Sequence, residues 1–227
     1  MTATNVRVAI LEDHQSIVDG YLYRLNTEPK IQVVATIFFG EDLEPLLAQN
    51  QVDVLLLDVQ VPTSATNSNP YPVLHSVSTL LLTQPNINIL AISMHTQAVL
   101  IQSLVDAGVS GYIFKDDYSS IRQLARIILT VANGGIYFSE AAYQQLRQGR
   151  SGKTSPILSP RQIEALSLCA AYPDDSTAEL AERLGVASST LRNLLSNAYV
   201  RLEVHTRAAA IAKVQKMGLF PDSTRPI

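Results

Sequence analysis

The chain has 227 residues, 47% hydrophobic and only 16% charged, enough apolar material for one large or two modest packed domains and far from the composition of a disordered chain. A single cysteine, Cys169, excludes an internal disulfide framework and a cysteine-rich zinc site. No apolar run reaches the roughly 18 residues needed to span a bilayer, and the start MTATNVR lacks an apolar signal-peptide core, so the expectation is a cytoplasmic protein with no membrane partner.

Net charge is −3 and the sequence pI about 5.8, an average that argues against a nucleic-acid partner. The average conceals two characters. Residues 1–150 carry 8 basic against 13 acidic residues, a balance of −5, whereas residues 151–227 carry 9 against 7, a balance of +2.

In chain order, short β-rich apolar runs alternate with helical periods. VRVAIL (6–11) is followed by a helix over 16–26, IQVVATIFF (31–39) by one over 42–50, and VDVLLL (52–57) by one over 73–83. INILAI (87–92) precedes a helix over 99–107, and GYIF (111–114) one over 119–133. Each helical segment repeats apolar residues at three- and four-residue spacing. Strand–helix repetition of this kind demands right-handed crossovers and a parallel sheet covered on both faces. One connection is out of proportion. Residues 59–72, VQVPTSATNSNPYP, exceed the roughly two to six residues of an ordinary strand-to-helix loop and read as either a mobile flap or a binding loop.

At about 146–160, LRQGRSGKTSPILSP interrupts the apolar periodicity with Gly, Ser, Lys and two prolines, the pattern of an interdomain linker. Beyond it no strand is predicted, only helical periods punctuated by Pro173, Gly185 and Gly218. The predicted fold class is α/β, a five-stranded doubly wound parallel sheet, followed by a small all-α domain.

Four of the five strands end in polar residues: Glu12 and Asp13, Asp58, Ser93 and Lys115. In an open parallel sheet all strand C-termini lie along one edge, where such folds bind ligands. Any one of these residues serves equally well to cap the following helix. The five together describe a phosphoryl site. Three carboxylates brought close repel one another and call for a hard divalent cation such as Mg2+, which keeps waters for a phosphate partner. A lysine opposite them can pair with an anion, and a small hydroxyl can donate to it.

LEDH (11–14), DVQVP (58–62), SMH (93–95) and GYIFKD (111–116) stand in the order and approximate spacing of a two-component response-regulator receiver, and residues 1–138 resemble that CheY-like domain. The resemblance implies that Asp58 accepts a phosphoryl group from the phosphohistidine of a sensor histidine kinase. It implies that Glu12, Asp13, Asp58 and the Gln60 carbonyl hold Mg2+, that Lys115 pairs with the phosphoryl oxygens and that Ser93 hydrogen-bonds them. Tyr112 would follow Ser93 inward, altering the face formed by the fourth helix, fifth strand and fifth helix. Gln60 and His95 flank the phosphoryl and would set how fast water reaches it. His14 and His95 also tempt a metal reading, but no other His or Cys stands near them in sequence. Glu12 replaces the commoner first Asp of the family, and Ser93 its commoner Thr.

In the second half, residues 176–202 read as helix, Gly turn, helix. Ala181 and Gly185 have a spacing that lets two helices approach closely, and Ser188 or Ser189 can cap the second. Leu191, Leu195, Ala198 and Leu202 form its buried stripe, leaving Arg192, Asn193, Ser196, Asn197 and Tyr199 outward. Arg reads guanine and Asn adenine in the major groove, although an ordinary solvated bundle face has the same look. LSPRQIEALSL (158–168), AELAERLGV (178–186), STLRNLLSNAYVRLEV (189–204) and TRAAAIAKVQKMGL (206–219) together resemble the LuxR-type helix-turn-helix of the NarL/FixJ response-regulator class. The resemblance implies that Arg192, Asn193 and Ser196 face bases, that Thr190, Arg201 and Arg207 lie near phosphates, and that residues 208–217 form the helix through which such domains pair.

The expected organisation is a receiver over 1–138, a linker over 139–157 and the DNA-binding domain over 158–227. The expected function is a transcription regulator switched by phosphorylation of Asp58, no enzyme beyond the chemistry at its own aspartate. Its partners would be a sensor histidine kinase, promoter DNA and a second copy of itself. Leu194, where relatives often carry a polar or basic residue, and the balance of only +2 leave open an alternative: a regulator acting by protein–protein interaction through a diverged helical domain. A phosphatase using Asp58 lacks a second Asp two residues on, where Gln60 stands.

Overall fold

The computed structural model describes residues 5–151 and 157–219; residues 152–156 of the expected linker and 220–227 of the expected helical domain lie outside the described residues. The chain begins with β1 (Val6–Leu11), α1 (Gln15–Leu25), β2 (Ile31–Ile37), a 3-10 turn at Gly40–Asp42, α2 (Leu43–Gln49) and β3 (Val54–Asp58). It continues through β4 (Pro62–Ser64), β5 (Asn67–Pro70), α3 (Val73–Thr83), β6 (Asn88–Ser93), α4 (Ala98–Ala107) and β7 (Gly111–Phe114). Then follow α5 (Tyr118–Arg122), α6 (Leu124–Ala132), β8 (Tyr137–Phe138), α7 (Glu140–Ser151), α8 (Pro160–Ala171), α9 (Thr177–Arg183), α10 (Ser188–Leu202) and α11 (Arg207–Lys216).

The main sheet runs β2-β1-β3-β6-β7-β8, with every neighbouring pair parallel. Its strands are apolar throughout because both faces are covered, and alternate residues serve opposite layers. Val8, Ile10, Val54, Leu56, Leu90, Ile92 and Ile113 share one core with α1 and α6, while Ala9, Leu11, Leu55, Leu57, Ile89 and Ala91 share the other with α2, α3 and α4. Each such fully buried aliphatic side chain contributes about 1.5–3 kcal/mol relative to exposure.

The five expected strands are present, and two-residue β8 adds a sixth against β7. The expected helix over 119–133 is divided at Gln123. Its first turn is held from outside: the Asp117 carboxylate accepts from the Ser119 and Ser120 amides and hydroxyls, and the Ser120 hydroxyl also lies 2.8 Å from that of Tyr137. The segment expected as linker begins as α7, which packs against α4 and β7, so part of the face formed by α4 and β7 is covered by the chain itself.

The long connection after β3, expected as a mobile flap or a binding loop, has regular structure of its own. It folds into an antiparallel hairpin in which Pro62 pairs with Pro70 and Ser64 with Asn67, and the Thr63 hydroxyl, fully buried, donates to the Asn69 carbonyl at 2.8 Å. Tyr71 then lies flat on Gly40, where any β-carbon would fall within 1.9 Å of its ring. The hairpin meets α8. Residues Gln162 to Ala171 of α8 are all buried, because one side packs on α9, α10 and α11 and the other on α3 and β5.

Capping boxes start α8 (Ser159 with Gln162, and Pro160 in the first turn) and α9 (Ser176 with Glu179). In α10, by contrast, the N-cap is Ala187, with no side-chain cap; neither Ser188 nor Ser189 takes that role. Gly185 also differs from expectation. Nothing lies within 4 Å of where its β-carbon would stand, so it is required by its φ of +67°, a left-handed helix exit, and not by close helix approach.

Candidate functional site

Four strands deliver their ends to one edge of the sheet. Glu12 and Asp13 follow β1, Asp58 ends β3, Ser93 ends β6 and Lys115 follows β7. Asp58 is 3% exposed and Glu12 1%, two carboxylates deep in the fold whose desolvation must be balanced. Lys115 balances both: its Nζ donates to Asp58 Oδ2 at 2.8 Å and lies 2.7 Å from Glu12 Oε2, an ion pair without hydrogen-bond alignment. The Gln60 amide donates to Asp58 Oδ1 at 3.0 Å.

Burial, assisted by the Glu12 charge, pushes the Asp58 carboxyl up to about 7 despite the opposing pull of Lys115 and the Gln60 amide. Burial works against the Lys115 ammonium, but the Asp58 and Glu12 charges outweigh it and its pKa is raised. An aspartate held so high beside a second buried carboxylate is a site short of positive charge. The carboxylates offer oxygen donors that fit a hard divalent cation, and Glu12, Asp13 and the ring nitrogen of His14 bring potential ligand atoms within 4.8 Å of one another. His14 Nδ1 stands 3.1 Å from Glu12 Oε1 and 2.8 Å from Asp13 Oδ1, so this ring, judged unlike a metal ligand from sequence, closes over the acidic pair as a hydrogen-bond partner.

Around Asp58, Ser93 is fully buried and its hydroxyl accepts from the His95 amide at 3.1 Å. His95 Nε2 and Gln60 Oε1 lie 3.2 Å apart. Tyr112 is fully buried already, donating to the His95 carbonyl at 2.8 Å and packing edge-on against Phe114 at 5.7 Å. Its own carbonyl accepts from the Ser139 amide at 3.0 Å, tying it to β8 and the start of α7.

In the helical half, Leu191, Leu195, Ala198 and Leu202 are buried as expected, and Arg192, Asn193, Ser196 and Asn197 stand exposed on the opposite face of α10. Thr190 and Arg201 are exposed beside them, but Tyr199 is half-buried against the core. Arg207 is partly engaged within the fold, donating to the Asp175 carbonyl at 2.9 Å and the Pro173 carbonyl at 3.4 Å. Leu194 packs partly buried against the core, so it forms no open apolar patch on the reading face.

Residues 8–126 match the model of the response regulator receiver domain, and residues 156–214 that of bacterial regulatory proteins of the luxR family. The transcriptional regulatory protein MctR of Rhizobium johnstonii is 29% identical over 206 residues, 91% of each chain. DesR of Bacillus subtilis, also a transcriptional regulatory protein, is 28% identical over 215 residues, 95% of this chain and 99% of its own. Among solved structures, RcsB of Salmonella enterica serovar Typhimurium bound to promoter rprA with the phosphomimetic BeF3- shares the fold, with a TM-score of 0.64 at 18% identity over 93% of this chain and 99% of that one.

Proposed function

Since the chain belongs to the response regulator family and joins its receiver to a LuxR-family DNA-binding domain, we propose that it is switched by phosphoryl transfer from a sensor histidine kinase to Asp58. The observation that carries this reading is Asp58 itself: a buried carboxylate at a strand end, against Lys115 and short of cationic charge. A carboxylate oxygen forms a P–O bond as the P–N bond of the donor phosphohistidine breaks, the electron pair leaving on the imidazole nitrogen. Glu12, Asp13, Asp58 and the Gln60 carbonyl would hold Mg2+, whose charge offsets that of the transferring group. Lys115, already within reach of Asp58, pairs with the phosphoryl oxygens, and Ser93 turns its hydroxyl from the His95 amide toward them.

The organisation we propose is a receiver over 1–138, a linker over 139–157 whose first part is α7, and the DNA-binding domain over 158–227. Arg192, Asn193 and Ser196 read bases while Thr190, Arg201 and Arg207 approach phosphates, Arg207 by exchanging its carbonyl partners for them. Two copies pair on two half-sites through the helical domains, in keeping with the partial cover over the fourth-helix face. Among the described residues no helix is long and apolar enough to cross a membrane, and we place the protein in the cytoplasm.

Selection of bound duplex from a random pool, followed by gel mobility with and without beryllofluoride, tests the proposal. Bands should shift at lower protein concentration with beryllofluoride in the native protein but not in Asp58→Asn. Arg192→Ala should lose about 1–3 kcal/mol of affinity and relax the sequence preference at one position. Unchanged affinity and preference in that variant would remove Arg192 from the reading face.

The hydrogen-bonded Gln60 and His95 side chains restrict the approach of water to Asp58. His95→Ala is expected to hasten loss of the phosphoryl group by on the order of tenfold, about 1.4 kcal/mol in barrier, measured as decay of radiolabelled protein after removal of the donor. A decay rate equal to that of the native protein would show that the pair does not gate water.

A further inference from the structure

The β4–β5 hairpin leaves the sheet immediately after Asp58 and ends on the last turn of α8. Asn67 Nδ2 donates to the Ala171 carbonyl at 2.9 Å and Asn69 Nδ2 to the same oxygen at 3.3 Å. That carbonyl belongs to the last residue of α8, beyond which no helical amide follows to donate to it. Asn67 Oδ1 in turn accepts from the Asn69 amide at 3.1 Å, which aims both side chains at one target. Just beyond, His75 Nδ1 lies 2.8 Å from Glu164 Oε1, and Glu164 is also held by Arg161 at 2.6 Å. Three of the receiver side chains that hydrogen-bond α8 thus lie in residues 67–75, the segment that directly follows the phosphoacceptor.

The connection from Asp58 to this segment is taut. Val59 and Val61 are buried at 2% exposure, the Gln60 amide is bonded to Asp58 Oδ1, and the Tyr71 amide donates to the Val61 carbonyl at 2.9 Å to close the base of the hairpin. Residues 58–62 are thus tied at both ends, to Asp58 and to the base of the hairpin. We propose that the hairpin is a clasp that holds α8 against the receiver and is loosened when Asp58 is modified. Phosphorylation takes up a carboxylate oxygen and withdraws charge from the Gln60 amide's acceptor; the resulting shift at residue 60 passes through Val61 into the hairpin, where two neutral hydrogen bonds on one carbonyl part readily. The exposed reading face of α10 is not what the clasp hides. It fixes instead where that face stands relative to the receiver, and so whether two copies can set their reading helices on two half-sites at once.

The link to Asp58 rests on the phosphoacceptor reading, whereas the clasp itself does not, and coupling between two sites is reciprocal. Loosening the clasp by mutation must therefore make Asp58 easier to modify. Full-length Asn67→Ala/Asn69→Ala, alone and combined with His75→Ala, should show a larger radius of gyration than the native protein in small-angle X-ray scattering without any phosphoryl analogue. Their half-saturating concentration of beryllofluoride with Mg2+, read by fluorine NMR, should fall about fivefold or more. Cys169, buried in α8 beside Arg207 of α11 with its thiol pushed up to about 11, reports on the fold of the helical domain. Its labelling by a thiol reagent should stay as slow as in the native protein; if it quickens in the triple variant, the double variant decides. A native radius of gyration in the folded variants would overturn the clasp, and expansion without tighter beryllofluoride binding would overturn its link to Asp58. Failure of beryllofluoride to bind the native protein would instead overturn the phosphoacceptor reading, with the radius of gyration alone then deciding the clasp.

Discussion

Asp58→Asn will accept no phosphoryl group from acetyl phosphate, and it will melt at a higher temperature than the native protein in Mg2+-free buffer at pH 8. The first result follows from the loss of the nucleophilic oxygen; it is read as absence of hydroxylamine-sensitive radiolabel. The second follows from burial. Asp58 titrates near 7 in the folded chain, against 3.8 for the free side chain, so the stability belonging to its protonated form is fully present below pH 3.8 and is lost as pH rises through about 7. Asparagine, which keeps the shape and can still face Lys115, removes that loss. The gain is on the order of 1–3 kcal/mol at pH 8 and vanishes toward pH 4, where the native carboxyl is itself neutral. Label incorporated at the native level would exclude Asp58 as acceptor. A melting difference independent of pH would exclude burial as the source of its raised pKa.

Lys115→Met has the opposite sign. The ammonium is the cation lying between Asp58 and Glu12, both at 3% exposure or less, and removing one partner of a buried ion pair costs about 3–5 kcal/mol. Asp58 can relieve part of this by taking a proton, so the destabilisation should be greatest at pH 8 and shrink as pH falls below 7. Millimolar Mg2+ should restore much of the lost stability, since the carboxylates Lys115 serves are those proposed to hold the metal. Urea denaturation at pH 6 and 8, with and without Mg2+, measures all three. A cost equal at both pH values and indifferent to Mg2+ would mean that Lys115 acts through its aliphatic stem alone. Phosphoryl incorporation should fall in parallel, because the same ammonium is placed to meet the transferring oxygens.

The alternation of apolar runs and helical periods made the receiver legible, since a strand buried on both faces has few ways to be written. β1 and β7 fall at the residues expected for them, and α3 spans Val73–Thr83 as read from its periodicity. The hairpin was not legible, for a physical reason. Its strands are three and four residues of Ser, Thr, Asn and Pro with no apolar alternation, and they are stabilised by a buried Thr63 bonded across the hairpin and, far off in sequence, by the α8 carbonyl that accepts from Asn67 and Asn69. β8 is set by its pairing with β7, and α7 by packing against α4, so both depend on partners that local propensity does not report. At the site, strand ends identified the five polar residues that converge. They did not reveal that Lys115 is divided between Asp58 and Glu12, or that His14 folds back over Glu12 and Asp13, because a side chain's choice among several acceptors depends on distances of a few ångström. Ala187 as the N-cap of α10 likewise escaped a rule that favours the serines beside it.

An exposed α10 has a kinetic consequence. On the proposed reading, exposed Arg192, Asn193 and Ser196 need no unveiling before they meet a duplex, so the resting protein would already scan DNA through the charge of the DNA phosphates, hopping between non-specific sites. With a balance of only +2 in residues 151–227, few phosphates are neutralised, so those visits are brief and depend only shallowly on salt. On the proposed pairing of two copies, the time from signal to occupied promoter would be governed by how quickly molecules already on the chromosome find one another at adjoining half-sites, a search along a line and not through the volume of the cell.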